Sequence, residues 1–397
     1  MEICIVGGKL QGLEVTYLSK KGRHYTVLID KKSDVPSVPL VDEFHNLDVL
    51  TDVNEVKKVL RDVDAVLPAC EDLLSLIKLE ELCNELGVPF MQDNSAFRIT
   101  SDKVLSQQFF ERNEIPIPEP WPKASFPLIV KPARKSGSVG IHKVENEHQL
   151  KRAIEAVQLI DDKAVIQEFV DGPALSLEVI ALGGDPVPLE ITQLEFDETF
   201  GCKRVFTPDL TNDEARKRFA EISREVAKGL QLTGLMDVQA LVDLSTNTPK
   251  VNEINARLPS QTPTVVYHST NVNMVNLLIE IFVKNRLPNV ELKFRKAVIY
   301  QHVRIENRVM HVVGEHVMAH ARDLEIKEDF MGLDEAITNV KRGKEIEGKV
   351  MTMIVKDQSL EDAWIKLNNA IEEVRRRLQI RKIIDISPFK AAVFKLS

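Results

Sequence analysis

The sequence predicts an α/β domain built on a parallel sheet, followed by a larger α+β fold in two parts. Three observations predict it. Short apolar runs alternate with helical patterns over residues 1–95, which is the signature of parallel strands joined by crossover helices. The stretch LIVKPARKSGSVGIHKV (128–144) places a lysine inside an apolar strand and a glycine-serine loop just after it. The strand pair in MDVQALVD (236–243) and KVNEINARLPSQTP (250–263) carries polar groups at alternate positions.

In the first part, EICIVGG (2–8) reads as a buried strand, residues 10–22 as a helix ending at glycine, and YTVLIDKK (25–32) as a second strand. HNLDVL (45–50), a helix near 54–62, DAVLPAC (64–70), a helix over 73–87 and VPFMQD (88–93) continue the alternation. A second unit spans 96–180. It has a helix from 101 that ends in a proline-rich connection, strands at 126–133 and 164–170, a helix at 148–158, and a strand at 174–182. The third, 181–397, has strands in PVPLEITQLEF and RVFTP and a helix at 212–231. The polar strand pair and a helix near 271–285 follow, then strands at 296–305 and 349–355 and an amphipathic helix at 359–378.

Composition narrows the function. The chain has 397 residues, 44% apolar and 28% charged, with net charge -8, which fits a folded globular protein. No basic block points to nucleic acid; VRRRLQIRKI (374–383) reads as a solvated helix face. Cys4, Cys70, Cys83 and Cys202 are too scattered for a zinc site or a disulfide framework and suit a reducing compartment. No signal peptide and no run near ~18 apolar residues is visible, so a cytoplasmic protein away from membranes is expected.

GGKLQG (7–12) lies between strand and helix, but Lys9 stands where a dinucleotide fingerprint needs glycine, which argues against NAD. The motif reads as a tight turn or as a site for a small anion using Lys9, Gln11 and the helix N-terminus. In PACED (68–72), Glu71 and Asp72 sit at a strand's C-terminal end, where they would hold an ammonium group or cap a helix. Lys131, interior to an apolar strand, needs a partner. Gly137, Ser138 and Gly140 can turn N–H groups toward phosphate. In IQEFVDG (166–172), the strand edge could read an adenine while Glu168 and Asp171 accept from base or ribose; a simple hairpin strand is the alternative. Gln239 on one strand and Glu253, Asn255 and Arg257 on the next supply hard oxygen ligands for Mg²⁺ and a guanidinium for a developing acyl phosphate. A solvated sheet face would produce a similar row, but Val251, Ile254 and Ala256 interleave it with apolar residues.

With these elements in order, the chain resembles the ATP-grasp superfamily over about its first 290 residues. The match runs through Lys103 and Lys131, KSGSVG, the hinge QEFV, then Gln239, Glu253, Asn255 and Arg257. GGKLQGLE, PACED and EINARLPSQTPTVVYHST resemble, more narrowly, the ligase family of pyrrolysine biosynthesis. The hinge departs from a common pattern, with Ala174 where many ATP-grasp enzymes carry an acid.

The resemblance implies a pre-ATP-grasp domain (1–95), a lid-bearing small subdomain (96–180) and a C-terminal subdomain (181–397). It implies an ADP-forming ligase that joins (3R)-3-methyl-D-ornithine, through an acyl phosphate, to the ε-amine of L-lysine. ATP would be bound by Lys103, Lys131, Ser138, Glu168, Phe169, Val170 and Asp171, and Mg²⁺ by Gln239, Glu253 and Asn255. L-lysine would lie near Leu10, Gln11, Glu71 and Asp72, and the ornithine near Ser176, Leu177, Glu178, Arg257 and Ser260, with Arg257 catalytic. Another ATP-grasp ligase or carboxylase would use the same machinery, and a non-catalytic nucleotide-binding regulator would have lost part of it. The resemblance also leaves room for a homodimer.

Overall fold

The computed structural model describes residues 1–208, 213–292, 295–341 and 348–387. The N-terminal part is β1 (Glu2–Val6), α1 (Leu10–Lys21), β2 (Tyr25–Ile29), β3 (Glu43–His45), α2 (Val53–Arg61), β4 (Ala65–Pro68) and α3 (Leu73–Leu86). Its four strands form one parallel sheet in the order β3-β2-β1-β4. Alternation of apolar strands with helices dictates this arrangement, because each crossover helix covers one sheet face. Two expectations shift. The strand sought at 45–50 ends at His45, and 88–93 contributes a single parallel bridge, Val66 to Phe90.

Helices α4 (Asn94–Thr100) and α5 (Lys103–Arg112) follow, each started by an aspartate whose carboxylate accepts backbone N–H bonds. The small sheet is antiparallel, β6-β5-β7, made of β5 (Leu128–Pro132), β6 (His142–Val144) and β7 (Ala164–Glu168) and backed by α6 (Glu147–Gln158). Its core is its own: Leu128, Val130, Val144, Leu150, Ala153 and Val157.

Everything later joins one 11-stranded sheet. It contains β8 (Ala174–Leu182), β9 (Asp185–Phe196), β10 (Cys202–Phe206), β11 (Gly234–Asp243) and β12 (Thr248–Asn255), with α7 (Asp213–Gly229) on one face. After α8 (Thr262–Thr270) and α9 (Met274–Phe282) come β13 (Ala297–Glu306), β14 (Val309–Val312), β15 (Glu325–Phe330), β16 (Leu333–Thr338) and β17 (Lys349–Asp357). The chain then runs through α10 (Leu360–Arg377) to β18 (Lys382–Asp385). The order is β12-β11-β8-β9-β10-β13-β17-β16-β15, with β14 and β18 appended at β13. The strand at 174–182, read with the small unit from sequence, therefore pairs in the large sheet. The single helix sought near 271–285 is α9; α8 precedes it, and Asn271 at φ +62° separates the two.

The two larger bodies share a core. Leu13, Tyr17 and Leu18 of α1 belong to the same buried cluster as Leu278 and Ile279 of α9. This fixes the parallel-sheet domain against the large sheet, so its strand ends overlook β12.

Candidate active site

Three neighbouring strands build the polar floor. In the ladder Glu178 of β8 faces Asp237 of β11, and Asp237 faces Asn255 of β12; Ser176 faces Gln239, and Gln239 faces Glu253. Residues in register project to the same side of a sheet, so these six form one polar face. The alternate residues Leu177, Val238 and Ile254 point the other way, into the core with Phe219 and Ile222 of α7.

Asp237 organises this face, and it was not singled out in the sequence. It is fully buried and accepts from Ser176 Oγ (2.5 Å), Gln239 Nε2 (2.7 Å) and Asn255 Nδ2 (3.3 Å). Both amides thus donate to Asp237 and turn their oxygens outward; the Gln239 oxygen is left for a cation, while Asn255 Oδ1 accepts a long bond from Arg257 Nη2 at 3.5 Å. Gln239 and Glu253 line a cavity of about 540 Å³ between the two sheets. Among the described residues no group of three or more His, Cys, Asp or Glu side chains could hold a metal ion. One carboxylate and two amide oxygens instead suit a Mg²⁺ that takes its other ligands from water and substrate phosphates.

The lysines converge above this floor. Lys131 is 3% exposed, and its Nζ donates to Asn252 Oδ1 at 2.9 Å. Asn252 can reach it because β12 bulges between the Glu253 and Val251 pairings, which re-aims the extra side chain. Burial pushes the Lys131 ammonium down to about 8, against the opposing pull of Glu253. Lys103 Nζ lies 3.6 Å from Glu253 Oε1 and donates to the carbonyl of Lys135 at 2.7 Å. Two cations therefore face one carboxylate beside the cavity, an excess that suits a polyanion.

The hinge differs from expectation at one residue. Phe169, Val170 and Asp171 line the cavity, but the Glu168 carboxylate is bonded to Lys250, which also pairs with Asp243 at 3.0 Å. Ser138, at φ +60° in the glycine loop, also lines the cavity; its hydroxyl donates to the Phe200 carbonyl at 2.6 Å.

At the far end of the face, Arg257 Nε and Nη2 donate to Glu71 Oε1 at 3.0 and 2.8 Å, and Gln11 Nε2 donates to the same oxygen at 2.9 Å. Burial raises the Glu71 carboxyl, but the Arg257 guanidinium, the Ser136 hydroxyl and the Lys103 ammonium together outweigh it and hold the group below its ordinary range. Asp72 takes the helix-cap role, accepting from Ser75 N at 2.9 Å and Ser75 Oγ at 2.6 Å. Leu10 opens α1, half-buried against the core. Ser260 Oγ donates to Glu315 Oε2 at 2.8 Å.

Glu178 is 0% exposed. Its Oε2 has no hydrogen-bond partner among the described residues. Burial, then the neighbouring Asp237 carboxylate, pushes its carboxyl up to about 8. A buried carboxyl oxygen without a donor is costly, so Oε2 is available to a donor bound at this face. The structure places Ser176 beside the pair but turns the Leu177 side chain into the opposite core.

A second charged cluster borders the cavity. Lys203 and Arg204 of β10 both bond Glu195 and Asp385. Arg204 also stacks on Trp364, 4.9 Å from the ring centroid. A register shift between Cys202 and Arg204 lets both cations turn to one side. Strand β18, outside the reach of sequence reasoning, delivers Asp385.

Residues 100–261 match the family model described as an ATP-grasp domain. A 3-methyl-D-ornithine–L-lysine ligase from Methanosarcina barkeri is 35% identical over 322 residues, 81% of this chain and 85% of the relative. Among solved structures, the biotin carboxylase domain dimer of Hydrogenobacter thermophilus 2-oxoglutarate carboxylase, in complex with ADP, its magnesium salt and bicarbonate, has a TM-score of 0.73. It is 16% identical, with 94% of this chain and 89% of that chain covered. An L-amino acid ligase from Bacillus licheniformis has a TM-score of 0.71 at 16% identity, covering 94% and 97%.

Proposed function

Since the chain belongs to the 3-methyl-D-ornithine–L-lysine ligase family of ATP-grasp, ADP-forming carboxylate-amine ligases, we propose that its own reaction is the amide-forming step of pyrrolysine biosynthesis. In this reading it uses ATP to join the carboxylate of (3R)-3-methyl-D-ornithine to the ε-amine of L-lysine. The observation that carries the substrate class is the buried Glu178–Asp237 pair with its unfilled Oε2. An aliphatic side chain would leave that oxygen orphaned, whereas an ammonium group donates to it and also balances the charge of the ionised pair.

ATP fills the cavity, with the base against the hinge residues Phe169, Val170 and Asp171 and the phosphates toward Lys131 and Lys103. Glu253, Gln239 and Asn255 would hold Mg²⁺, which neutralises phosphate charge when bound. The amino-acid carboxylate attacks the γ-phosphorus, the bond to ADP breaks, and an acyl phosphate forms. Arg257 holds the developing charge as it leaves Glu71. The lysine ε-amine then attacks the acyl carbon, loses a proton and expels phosphate. Most of the rate gain comes from positioning and charge stabilisation.

The lysine substrate sits between the parallel-sheet domain and Arg257, near Leu10, Gln11 and Glu71. Asp72 is spent on its helix cap, so Glu71 is the carboxylate of that pair left to meet it.

The test is ADP release with Mg-ATP, L-lysine and (3R)-3-methyl-D-ornithine, each omitted in turn, with the product weighed by mass spectrometry. A product equal to the two amino acids less water, and ADP release that needs both, is the expected result. ADP release with other acids alone would overturn the substrate assignment.

A further inference from the structure

The C-terminal region reaches the site at a short 3₁₀ turn, Glu315–Val317, whose first two residues grip two different loops. Glu315 Oε2 accepts from Ser260 Oγ at 2.8 Å, a residue assigned to the ornithine substrate, and from its neighbour Gln261 Nε2 at 2.6 Å. The next residue, His316, donates from Nε2 to the Gly137 carbonyl at 2.9 Å, inside the glycine loop. The fit is tight on both sides. Gly137 has φ +63°, and a Cβ there would lie 2.9 Å from the His316 ring. Gly314 packs so closely on Gly201 that a Cβ at 314 would come within 2.7 Å of its Cα.

The base of the turn is fixed. Asp197 accepts from Gly314 N at 2.7 Å through Oδ2 and from Gly201 N at 3.0 Å through Oδ1. The same β9–β10 connection offers the Phe200 carbonyl to Ser138 of the glycine loop. The glycine loop is thus docked at two adjacent points, Phe200 and His316, on a platform whose other edge holds Ser260 and Gln261.

Resting on the ligase reading above, we infer that Glu315 and His316 are positioning residues that couple amino-acid binding to closure of the glycine loop over the nucleotide. An amino acid bound against Ser260 acts on Glu315 through that hydroxyl, and Glu315 is followed directly by the imidazole that holds the Gly137 carbonyl. Coupling of this kind is reciprocal: nucleotide must raise amino-acid affinity by the factor that the amino acid raises nucleotide affinity. Neither residue touches a reacting atom.

The experiment measures hydrogen exchange over residues 135–141 in the full chain, with Mg²⁺ and a non-hydrolysable ATP analogue, with and without D-ornithine, alongside KM for ATP and kcat. In the wild type, the analogue protects the loop and D-ornithine adds to that protection. His316→Ala is expected to cut the protection given by the analogue alone and to raise KM for ATP about three- to tenfold, the range of one neutral hydrogen bond, with kcat near wild type. His316→Gln, which keeps a donor, is expected to recover part of both. Glu315→Gln keeps the analogue's protection and loses the increment from D-ornithine. Loop exchange and KM for ATP unchanged in His316→Ala would overturn the latch, and an intact D-ornithine increment in Glu315→Gln would overturn the coupling. The analogue-only arm reads the latch whichever amino acid the enzyme uses, so an error in the substrate assignment shows separately, in the product.

Discussion

Arg257 and Glu71 lie 186 residues apart, yet two N–H groups of the guanidinium converge on one carboxylate oxygen, at 3.0 and 2.8 Å. The bond joins the parallel-sheet domain to the end of the polar face. In the proposed reaction it also parks Arg257 beside the lysine site, so the guanidinium would exchange Glu71 for the acyl phosphate during turnover. A lysine in its place would keep the charge and lose the two-pronged geometry. Arg257→Lys is therefore expected to lower kcat ten- to a hundredfold, since charge-assisted contacts are worth roughly 1.5–3 kcal/mol. KM for ATP should change little. Rapid-quench measurement of ADP formation reads this; an unchanged burst rate would remove Arg257 from the chemical step.

Glu178 gives a pH signature. With its carboxyl raised to about 8 by burial and Asp237, the free enzyme holds it protonated below that value. A substrate ammonium needs the ionised form. Affinity for the ornithine substrate should rise with pH up to about 8, with a proton released on binding at lower pH. Glu178→Gln should weaken binding and flatten the profile. Isothermal titration in two buffers of different ionisation enthalpy counts the proton directly. The same shift predicts its effect on stability. Between the ordinary carboxyl value and about 8, the folded state holds a proton the unfolded chain has lost, so this group's contribution falls as pH rises through that window.

Lys131 gives the opposite trend for nucleotide. Burial lowers its ammonium to about 8, so the free enzyme loses this charge above that pH while bound phosphates favour its retention. KM for ATP should climb above pH 8 in the wild type. Lys131→Met should raise KM at neutral pH and abolish the climb. A wild-type KM flat from pH 7 to 9.5 would contradict the assignment.

Leu177 separates packing from binding. Its side chain is 1% exposed in the core under α7, although it sits between Ser176 and Glu178 in sequence. Leu177→Ala should cost about 2–5 kcal/mol of stability, the range for emptying a buried leucine site. Substrate affinity of the folded variant should stay near wild type. Denaturant unfolding and ligand titration on the same preparation decide the point.

Much of this was legible in the sequence because it depends on short-range periodicity. Alternation of strand and helix gave the parallel sheet, and a period of two placed Glu253, Asn255 and Arg257 on one face, with Gln239 on the preceding strand. The same period also puts Asp237, two residues before Gln239, on this face, but its role as the acceptor that orients both amides depends on the pairing of three strands. It could also have turned Leu177 away from the site. What escaped depends on distant pairing. Asp385 meets Lys203 across 182 residues, and His316 meets Gly137 across 179; neither carries a local signal. The bulge that sends Asn252 to Lys131 leaves only a small mark, a break in the alternation where two polar residues separate the core residues Val251 and Ile254.

The most direct test of the central claim follows one oxygen atom. (3R)-3-methyl-D-ornithine labelled with ¹⁸O in its carboxylate is turned over with Mg-ATP and L-lysine, and the released phosphate is analysed by mass. An acyl phosphate hands one carboxylate oxygen to phosphorus, so each phosphate should carry one ¹⁸O while the amide product keeps the other. Phosphate free of label, with amide formed at the normal rate, would contradict the account.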